Sequence, residues 1–414
     1  MSLPKELTQS NHRTRLLKST HSYFECREIS EMSNVLERVD NIIPVIKENR
    51  ELTEQSRQLA PAVVDALRAS GLCRLGLEKI LHGTDEDPVD SLKVFEELAK
   101  AEGSVAWVVW NNHFAGTFGR FLNDELRADI YGNALEIYAN SAIPQGVAKA
   151  TEGGYEVSGT WPLVSGCHSS DWMALRAIVQ DGEEVPTLGP GTELRIYFLR
   201  SSEVQILDTW DVGGLRGTGS HHVRADGVFV PANRSISFDD DIQQTSDYSK
   251  IPIMCMNAAG CASIALGLAR VCIDTLIALG KERVTPGPRP DLRDHEAVQM
   301  VVAMTDVGLS AARMNLHNAT TQLWHEVRDS SEPSDLTIAG VWAAAHHAAT
   351  TARTVASDIY AAAGTAAMHT SSPIERAHRD IYAVLQHGII QPHWMKQVAQ
   401  VKMDPDSVTP AFRT

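Results

Sequence analysis

Residues 210–231 read WDVGGLRGTGSHHVRADGVFVP and join a glycine-rich loop to a valine-rich strand. A dinucleotide-binding fingerprint needs the spacing GxGxxG between a strand and a helix. The four glycines between 213 and 219 do not have that spacing, and the pattern after them is that of a strand. A P-loop needs Gly-Lys followed by Ser or Thr, and this loop contains no lysine. The stretch therefore predicts a turn or a ligand-contact loop, and it argues against a Rossmann fold.

Two adjacent histidines, His221 and His222, follow the glycines. Neighbouring residues on a strand point to opposite faces, so these side chains cannot share one metal ion without a bend. We expect one ring to point inward and the other to face solvent, and we predict no metal site. Arg216 is either the anchor of its own loop or a contact to an anionic ligand, and the sequence leaves both interpretations open.

The strand that ends at Pro231 closes a β-rich segment that we place at residues 137–238. Short apolar or alternating runs, separated by Gly, Asp and Ser, predict a small antiparallel sheet or barrel there. Before it, residues 31–136 carry apolar residues at three- and four-residue intervals and predict an N-terminal helical domain. Residues 1–30 are polar without a steady period and are interpreted as a tail.

After the β segment, residues 239–414 return to helical periodicity. Prolines separate four long stretches, which predict a C-terminal four-helix bundle with helices at 253–282, 291–329, 335–363 and 372–401. The order of helices, then sheet, then helices lacks strand–helix alternation. It predicts an α+β fold that is mainly α.

The bulk composition limits the classes of partner. The chain has 414 residues, of which 43% are apolar and 21% charged, with a formal net charge of −15. That charge disfavours nucleic acid and anionic membranes, which both attract basic surfaces. The six cysteines show no CxxC spacing, and no signal peptide or long apolar span is evident, so we expect a cytoplasmic protein with reduced thiols.

A second polar loop lies at residues 159–172, GTWPLVSGCHSSDW. Its run of small polar residues, from Ser165 to Ser170, is typical of a hydroxyl-rich hairpin turn. The alternative is the wall of a site for a flat ring with polar edges, met by backbone amides and serine hydroxyls with Trp172 packed nearby.

Two helical segments contain histidines in suggestive places. In the predicted helix after Ser372, His387 follows Arg379 by two turns, and such a histidine is either structural or functional. In VAWVVWNNHFAG, residues 105–116, Trp107, Trp110 and His113 share one helix face at three-residue spacing. That stripe is usually core, although the helix end can also line a pocket.

Taken in this order, the motifs resemble a known family. The resemblance is carried by LAPAVVDALRASGLCRLGL (59–77), FEELAKAEGSVAWV (95–108), GGYEVSGTWPLVSGCHSSDW (153–172), the opening stretch, and AAAGTAAMHTSSPIERAHRDIYAVLQH (361–387). Together they resemble the acyl-CoA dehydrogenase fold. Within it the chain is similar to the two-component (group D) flavin-dependent monooxygenases, such as the oxygenase components of 4-hydroxyphenylacetate hydroxylase, steroid-phenol hydroxylase and dibenzothiophene monooxygenase.

The resemblance implies a helical N-domain, a middle antiparallel β-barrel domain and a C-terminal four-helix bundle, assembled as a homotetramer. Reduced FMN or FAD, delivered by a separate NAD(P)H:flavin reductase, lies between the β-domain and the bundle and reacts with O2. Arg283 resembles the family's flavin-phosphate arginine. The implied flavin contacts are Trp110, Ser165, Gly166, Cys167, Trp172, Arg283 and Arg379.

One departure from the dehydrogenases decides the expected chemistry. Acyl-CoA dehydrogenases carry a catalytic glutamate shortly after the Arg-Asp pair, where this sequence has His387 and Gly388. In the similar hydroxylases, a histidine in this helix and a serine in the middle-domain loop shelter a C4a-hydroperoxyflavin. The resemblance therefore implies catalytic roles for His387 and Ser165, and a role for His113 at the substrate phenol.

The expected reaction is hydroxylation of a phenolic or polycyclic aromatic substrate, with Thr218 and Ser220 as further substrate contacts. Two alternatives remain open at this point. One is N-oxygenation of an amine or amino sugar by the same intermediate. The other is an acyl-CoA dehydrogenase that uses a different glutamate, for which Glu375 is the nearest candidate.

Overall fold

The computed structural model describes residues 34–78, 81–83, 87–243, 246–282, 291–330 and 332–413. The predicted tail and Arg283 lie outside these residues. Over the described part of the chain, one set of helices precedes a single sheet and a second set follows it. This is the order that the sequence pattern predicts.

The N-terminal helices pack around α5, whose residues are all buried. A helix that is apolar on every side has no solvent face and lies in the core. The preceding helix begins at a predicted cap, where the side chain of Asp87 accepts a hydrogen bond from the backbone N–H of Val89. The N-terminal helices are α1 (Val35–Glu48), α2 (Arg50–Ser56), α3 (Pro61–Ser70), α4 (Pro88–Ala101), α5 (Gly103–Gly116) and α6 (Asp124–Tyr131).

Seven strands form one sheet in the order β5-β6-β2-β1-β3-β4-β7. They are β1 (Tyr138–Thr151), β2 (Gly154–Trp161), β3 (Trp172–Gln180), β4 (Leu194–Arg200), β5 (Gln205–Leu207), β6 (His222–Pro231) and β7 (Ser235–Ile236). The predicted β segment is confirmed, but its pairing is mixed instead of purely antiparallel, because β1 and β3 run parallel. After β2 folds back on β1, residues 162–171 cross to the other side of β1. Strand β3 therefore starts opposite Tyr138, at the beginning of β1.

Four helices of the C-terminal region pack against one another. They are α7 (Ile253–Glu282), α8 (Glu296–Ser330), α9 (Asp335–Ala363) and α10 (Pro373–Val384). The fourth predicted helix, 372–401, is wrong in its length. It ends at Val384, and α11 (His393–Met403) begins only after Pro392. Gly388 favours a break and Pro392 cannot donate a helical N–H, so His387 lies in the break and not inside a helix. A last short helix, α12 (Pro410–Arg413), follows.

Helix α7 is long and apolar enough to cross a membrane by length and composition alone, but 61% of its most apolar window is buried inside the protein. It packs against α4, α5, α9 and α10. This burial identifies α7 as the central helix of the bundle. It also places the first two turns of α7 beside the buried face of α5 that carries Trp110.

Candidate active site

His387 lies at the break between α10 and α11, with its ring against two tryptophans of α5. The ring centroids are 5.6 Å from Trp107 and 5.2 Å from Trp110, both in edge-on geometry. Nδ1 of His387 accepts a hydrogen bond of 3.2 Å from the backbone N–H of Ile389, so the proton of the neutral ring is on Nε2. Because the indoles replace water around the ring, the pKa of His387 is lowered to about 4. At neutral pH this histidine is an uncharged donor.

Ser165 lies in the segment that crosses β1, at one end of a chain of hydroxyl groups. Its Oγ is 2.7 Å from Ser220 Oγ, which is 2.7 Å from Thr218 Oγ1, and Thr218 in turn donates to the carbonyl of Leu215 at 2.8 Å. Each hydroxyl has one proton, so the donation by Thr218 fixes the direction of the chain: Ser220 donates to Thr218, and Ser165 donates to Ser220. Trp107 Nε1 donates to Ser165 Oγ at 3.0 Å. Ser165 is left with one lone pair as a further acceptor.

Trp107 therefore connects two of the three residues, His387, Ser165 and His113, for which the resemblance implies catalytic roles. Its indole N–H bonds Ser165 and its ring packs on His387. The sequence analysis placed Trp107 in the apolar stripe of α5 and gave it no part in the site. The sequence feature that indicates a role for Trp107 is its position on one helix face with Trp110 and His113, at three-residue spacing.

His113 is on the same helix but belongs to a neighbouring cavity. Its Nε2 lies 2.7 Å from the hydroxyl of Tyr248, and its ring packs edge-on against Phe95 at 5.6 Å. Burial, reinforced by the charge of Arg120, lowers the pKa of His113 to about 4. The cavity is small, about 10 Å³, and is lined by His113, Phe114, Thr117, Arg120, Tyr248, Ile251, Ile253, Met256 and Asn257.

The glycine-rich loop of residues 213–220 is a packing junction between the sheet and two helical elements. A Cβ on Gly214 would collide with the carbonyl of Arg379, and one on Gly217 would collide with the side chain of Thr53. Asp380 Oδ1 accepts a hydrogen bond from the N–H of Leu215 at 2.6 Å and holds the loop on α10. The loop therefore contributes to the site through its buried hydroxyls. The contacts of Thr218 and Ser220 to a substrate stay predictions.

The two adjacent histidines separate as expected. His221 is buried, and its Nδ1 accepts the N–H groups of Thr209 and Trp210 at 3.1 Å each. His222 is only partly buried. Arg216 donates to the carbonyl of Val212 at 2.7 Å, which supports the interpretation as an anchor of its own loop.

Gly166 and Cys167 hold the crossing segment against the glycine-rich loop. Gly166 has a φ of +76° and donates its N–H to the carbonyl of Thr218 at 2.8 Å, and the thiol of Cys167 donates to the carbonyl of Gly219 at 3.2 Å. Because these two bonds hold the crossing segment on the glycine-rich loop, they also fix the position of Ser165 beside α5. Contacts of the two residues to a cofactor stay predictions.

Two other predicted cofactor residues have different partners in the structure. The guanidinium of Arg200 covers the ring of Trp172 at 3.7 Å, and the Trp172 N–H bonds Glu136 at 3.1 Å. Arg379 donates to Glu375 at 2.6 Å and also bonds the carbonyl of Gly213. The expectation that Trp172 packs beside the crossing loop has to be corrected, because that ring belongs to a different apolar cluster from Cys167.

A cleft of about 300 Å³ opens between the end of α1, the α4–α5 junction and α10. Its lining includes four cationic side chains, four carboxylates and three hydroxyl residues: Lys47, Arg50, Lys100, Arg376, Glu48, Glu51, Glu102, Asp380, Thr370, Ser371 and Ser372. Arg376 Nη1 is buried without a hydrogen bond among the described residues and approaches Glu102 only to 3.6 Å. Burial and the neighbouring Glu102 raise the pKa of Asp380, at the same cleft, to about 8.

Comparison with known proteins agrees with this architecture. Residues 259–392 match the model of the acyl-CoA dehydrogenase C-terminal domain. The chain is 25% identical over 339 residues to the indole-3-acetate monooxygenase of Pseudomonas putida, covering 81% of this chain and 85% of that protein. It is 26% identical over 377 residues to HsaA of Rhodococcus jostii, a flavin-dependent monooxygenase oxygenase subunit, covering 86% and 94%.

Among solved structures, XiaF from Streptomyces sp. in complex with FADH2 and glycerol superposes with a TM-score of 0.84 at 23% identity. The superposition covers 91% of this chain and 96% of that one. The chain thus has the acyl-CoA dehydrogenase fold. The resemblance to flavin-dependent monooxygenases that the sequence motifs indicate is confirmed.

Proposed function

We propose that this chain, with its acyl-CoA dehydrogenase fold, is the oxygenase component of a two-component flavin-dependent monooxygenase that hydroxylates an aromatic substrate. One observation carries the proposal. The indole of Trp107 donates a hydrogen bond to Ser165 and packs against the ring of His387, so two residues that are far apart in the sequence contact the same side chain. At the corresponding position after α10 a dehydrogenase needs a carboxylate base. The sequence there is Gln386-His387-Gly388.

When bound, the reduced flavin supplies the electrons that activate O2. The residues present fit such a group. Ser165 retains an acceptor lone pair, the indoles of Trp107 and Trp110 make its surroundings apolar, and Arg376 Nη1 is a buried donor without a hydrogen bond among the described residues. We propose that the cofactor is FMN or FAD, with Arg376 as a phosphate contact in addition to the predicted Arg283.

His387 acts as a neutral donor in this proposal. A histidine with its pKa lowered to about 4 does not become a cation at neutral pH, and its Nε2–H is available to an oxygen atom beside it. Ser165, whose own proton points to Ser220, accepts from an N–H group. The surrounding indoles exclude water, which slows loss of the activated oxygen as hydrogen peroxide.

His113 contacts the substrate hydroxyl in the proposal. It lies in the neighbouring cavity, two turns of α5 from Trp107, and is uncharged at neutral pH. Its Nε2 bonds the Tyr248 hydroxyl at 2.7 Å in the structure, and in the proposal the substrate hydroxyl takes the place of that partner. The proposed substrate contacts of Thr218 and Ser220 are made through the hydroxyl chain that ends at Ser165.

The dehydrogenase alternative is disfavoured by the surroundings of Glu375. Its Oε1 accepts from Arg379 Nε at 2.6 Å, so the carboxylate is occupied by an ion pair. Glu375 also lies in the first turn of α10, whereas His387 follows the end of that helix. A base for α-proton abstraction has to be poised over the substrate, and an ion-paired carboxylate is a weak base.

The proposal extends to assembly and partners. The outer face of α8 exposes Met300, Met304, Val307 and Met314, at spacings that form one stripe. Such an apolar stripe supports self-association, and we propose a homotetramer. We further propose a separate NAD(P)H:flavin reductase as partner, a cytoplasmic location, no nucleic-acid or membrane partner, and domains at 31–136, 137–238 and 239–414.

Isotope labelling tests the proposal. The purified chain, a flavin reductase, NADH, FMN or FAD and a panel of phenols and indoles are incubated under 18O2. Incorporation of one 18O atom into an aromatic product, dependent on both proteins, is the expected result. Absence of labelled product across the panel, together with turnover of an acyl-CoA by the chain alone, would favour the dehydrogenase.

A further inference from the structure

Ser165 is held between two supports, and both of them contact the carboxyl of Asp380. One support is α5, whose Trp107 donates to Ser165 Oγ. The other is the glycine-rich loop, whose Ser220 accepts the Ser165 proton. Asp380 belongs to α10, and only 1% of its surface is exposed. The proposed reaction gives this buried carboxyl no role.

Asp380 bonds the loop at a residue with an unfavourable backbone conformation. Its Oδ1 accepts from the N–H of Leu215 at 2.6 Å. Leu215 has a φ of +52°, in the left-handed region that is disfavoured for residues other than glycine. Such a conformation persists only where surrounding contacts hold it. Because a buried N–H without an acceptor is costly, loss of the carboxyl favours rotation of Leu215 out of this conformation.

The carbonyl of Leu215 is the end of the hydroxyl chain that starts at Ser165. It accepts from Thr218 Oγ1 at 2.8 Å and from the Thr218 N–H at 3.1 Å. The indole N–H of Trp210 donates to the same oxygen at 3.2 Å. Since the donation by Thr218 directs the proton of Ser220 and then that of Ser165, the direction of this carbonyl decides where the Ser165 proton points.

Asp380 also contacts the start of the helix that carries Trp107. A Cβ on Gly103, the first residue of α5, would lie 3.0 Å from Asp380 Oδ2, so glycine gives the carboxyl the space that it needs. The side chain of Leu215 packs at the same point, 3.5 Å from that Cβ position. Asp380 therefore lies where α5, α10 and the glycine-rich loop meet.

Burial favours the uncharged form of this carboxyl. Burial and the neighbouring Glu102 raise the pKa of Asp380 to about 8, and burial also raises the pKa of Glu102. A protonated carboxyl still offers one oxygen as an acceptor to the N–H of Leu215. An amide of the same shape offers the same acceptor. Asparagine is therefore expected to replace Asp380 in this contact.

We infer that Asp380 is a positioning residue for the hydroxyl of Ser165. It acts through the carbonyl of Leu215, which orders the hydroxyl chain, and it touches no reacting atom itself. The inference rests on the proposed function, in which Ser165 accepts from an N–H group and its own proton has to point away from that group.

Amide hydrogen exchange in the flavin-free chain tests the structural link. Two amides report on it: that of Leu215, and that of Gly166, which donates to the Thr218 carbonyl at 2.8 Å beside Ser165. Asp380→Ala is expected to raise exchange at both amides at least about tenfold, and Asp380→Asn to recover most of the protection. Faster exchange at Leu215 with wild-type exchange at Gly166 would overturn the inference, because Asp380 then anchors only the loop.

Release of hydrogen peroxide tests the effect on Ser165. The chain with reduced FMN or FAD is mixed with O2 in the absence of substrate. Asp380→Ala and Thr218→Val are each expected to raise the rate of peroxide release about fivefold, as Ser165→Ala does. In the Thr218→Val background the Asp380→Ala change should add little, and Asp380→Asn alone should recover most of the loss. Multiplicative effects of the two changes would overturn the inference.

His378→Gln is the control on the same helix, since that ring packs against Tyr360 of α9. It should change neither measurement. Thr218→Val keeps the inference testable where Asp380→Ala does not fold. A wild-type rate of peroxide release in Thr218→Val would overturn the inference, because the chain from Leu215 would then have no effect on Ser165.

Failure of the proposed function has a different signature. A wild-type chain without affinity for reduced FMN or FAD removes the oxygenase assignment, and exchange in the flavin-free chain still decides whether Asp380 positions the Ser165 segment. Normal flavin binding and oxygen reaction, together with multiplicative effects of Asp380→Ala and Thr218→Val, remove the inference and leave the oxygenase assignment intact.

Discussion

The indole nitrogen of Trp107 lies 3.0 Å from Ser165 Oγ and donates a hydrogen bond to it. Trp107 comes from the buried helix α5, and Ser165 comes from the segment that crosses the sheet between β2 and β3. The same indole packs against His387 from the break after α10. Three separate parts of the chain thus converge on one side chain, which contacts both of the proposed catalytic residues.

Replacing Trp107 by Phe removes the N–H donor and keeps a ring against His387. A neutral hydrogen bond contributes about 1 kcal/mol, so we expect product formed per flavin oxidised to fall about fivefold. Ser165→Ala should lower it by a similar factor, and the double variant should lose less than the product of the two. Coupling is measured as product against hydrogen peroxide.

The control for these variants is Ser158→Ala, a serine in β2 that accepts from the backbone N–H of Gly227 at 2.9 Å, away from the site. It should leave coupling unchanged. Strictly multiplicative losses in Trp107→Phe and Ser165→Ala would mean that the two residues act independently, contrary to the contact.

His387→Ala is expected to uncouple the reaction, so that most of the O2 consumed appears as hydrogen peroxide. The variant removes the neutral Nε2–H donor and opens space for water beside the indoles. We expect at least about a tenfold rise in the peroxide-to-product ratio, the scale on which a positioned donor contributes. His347→Ala, on the exposed face of α9, is the matched control. Unchanged coupling in His387→Ala would remove this residue from the mechanism.

The features that the sequence predicted correctly are those that depend on the spacing of residues within one short segment. The apolar period of α5 and the hydroxyl run at 165–170 located two parts of the site. The sequence pattern continued the last bundle helix through His387, since one glycine and one proline do not specify where a helix stops. The break places the imidazole edge-on against α5, and that contact depends on packing between distant segments.

Long-range partners explain the other differences. Besides its neighbour Glu375, Arg379 bonds the distant Glu54 and the glycine-rich loop, while its predicted contact to a cofactor stays a prediction.

Acid should destabilise the protein through His113. Its pKa is about 4 in the folded state and near 6.5 when unfolded, so between these values only the unfolded chain takes up the proton. Stability therefore falls as the pH is lowered from about 6.5 to 4, by up to about 3 kcal/mol for this group, and is constant above that range.

Chemical unfolding between pH 4.5 and 8 measures this effect. His113→Gln should reduce the pH dependence by the share of this group, leaving that of His387, whose pKa is also about 4, and the exposed His347→Gln should leave it unchanged. A wild-type protein that is equally stable at pH 5 and pH 7.5 would contradict the assignment of a neutral, desolvated His113.

Arg376→Gln should weaken binding of reduced flavin about tenfold, because a buried guanidinium donor to a phosphate contributes a charge-assisted hydrogen bond. Arg283→Ala is expected to have a comparable effect through its predicted phosphate contact. Anaerobic titration with reduced FMN and reduced FAD measures both affinities. Arg353→Gln is the control, and an unaltered affinity in either test variant removes that arginine from the cofactor site.

The oxygenase assignment is tested most directly by comparing the affinities of the purified chain for reduced and oxidised flavin. The account predicts a nearly colourless protein that binds reduced FMN or FAD at least about tenfold more tightly than the oxidised form and consumes O2 once the reduced complex meets air. A yellow protein that retains oxidised FAD through purification and bleaches on addition of an acyl-CoA would contradict it.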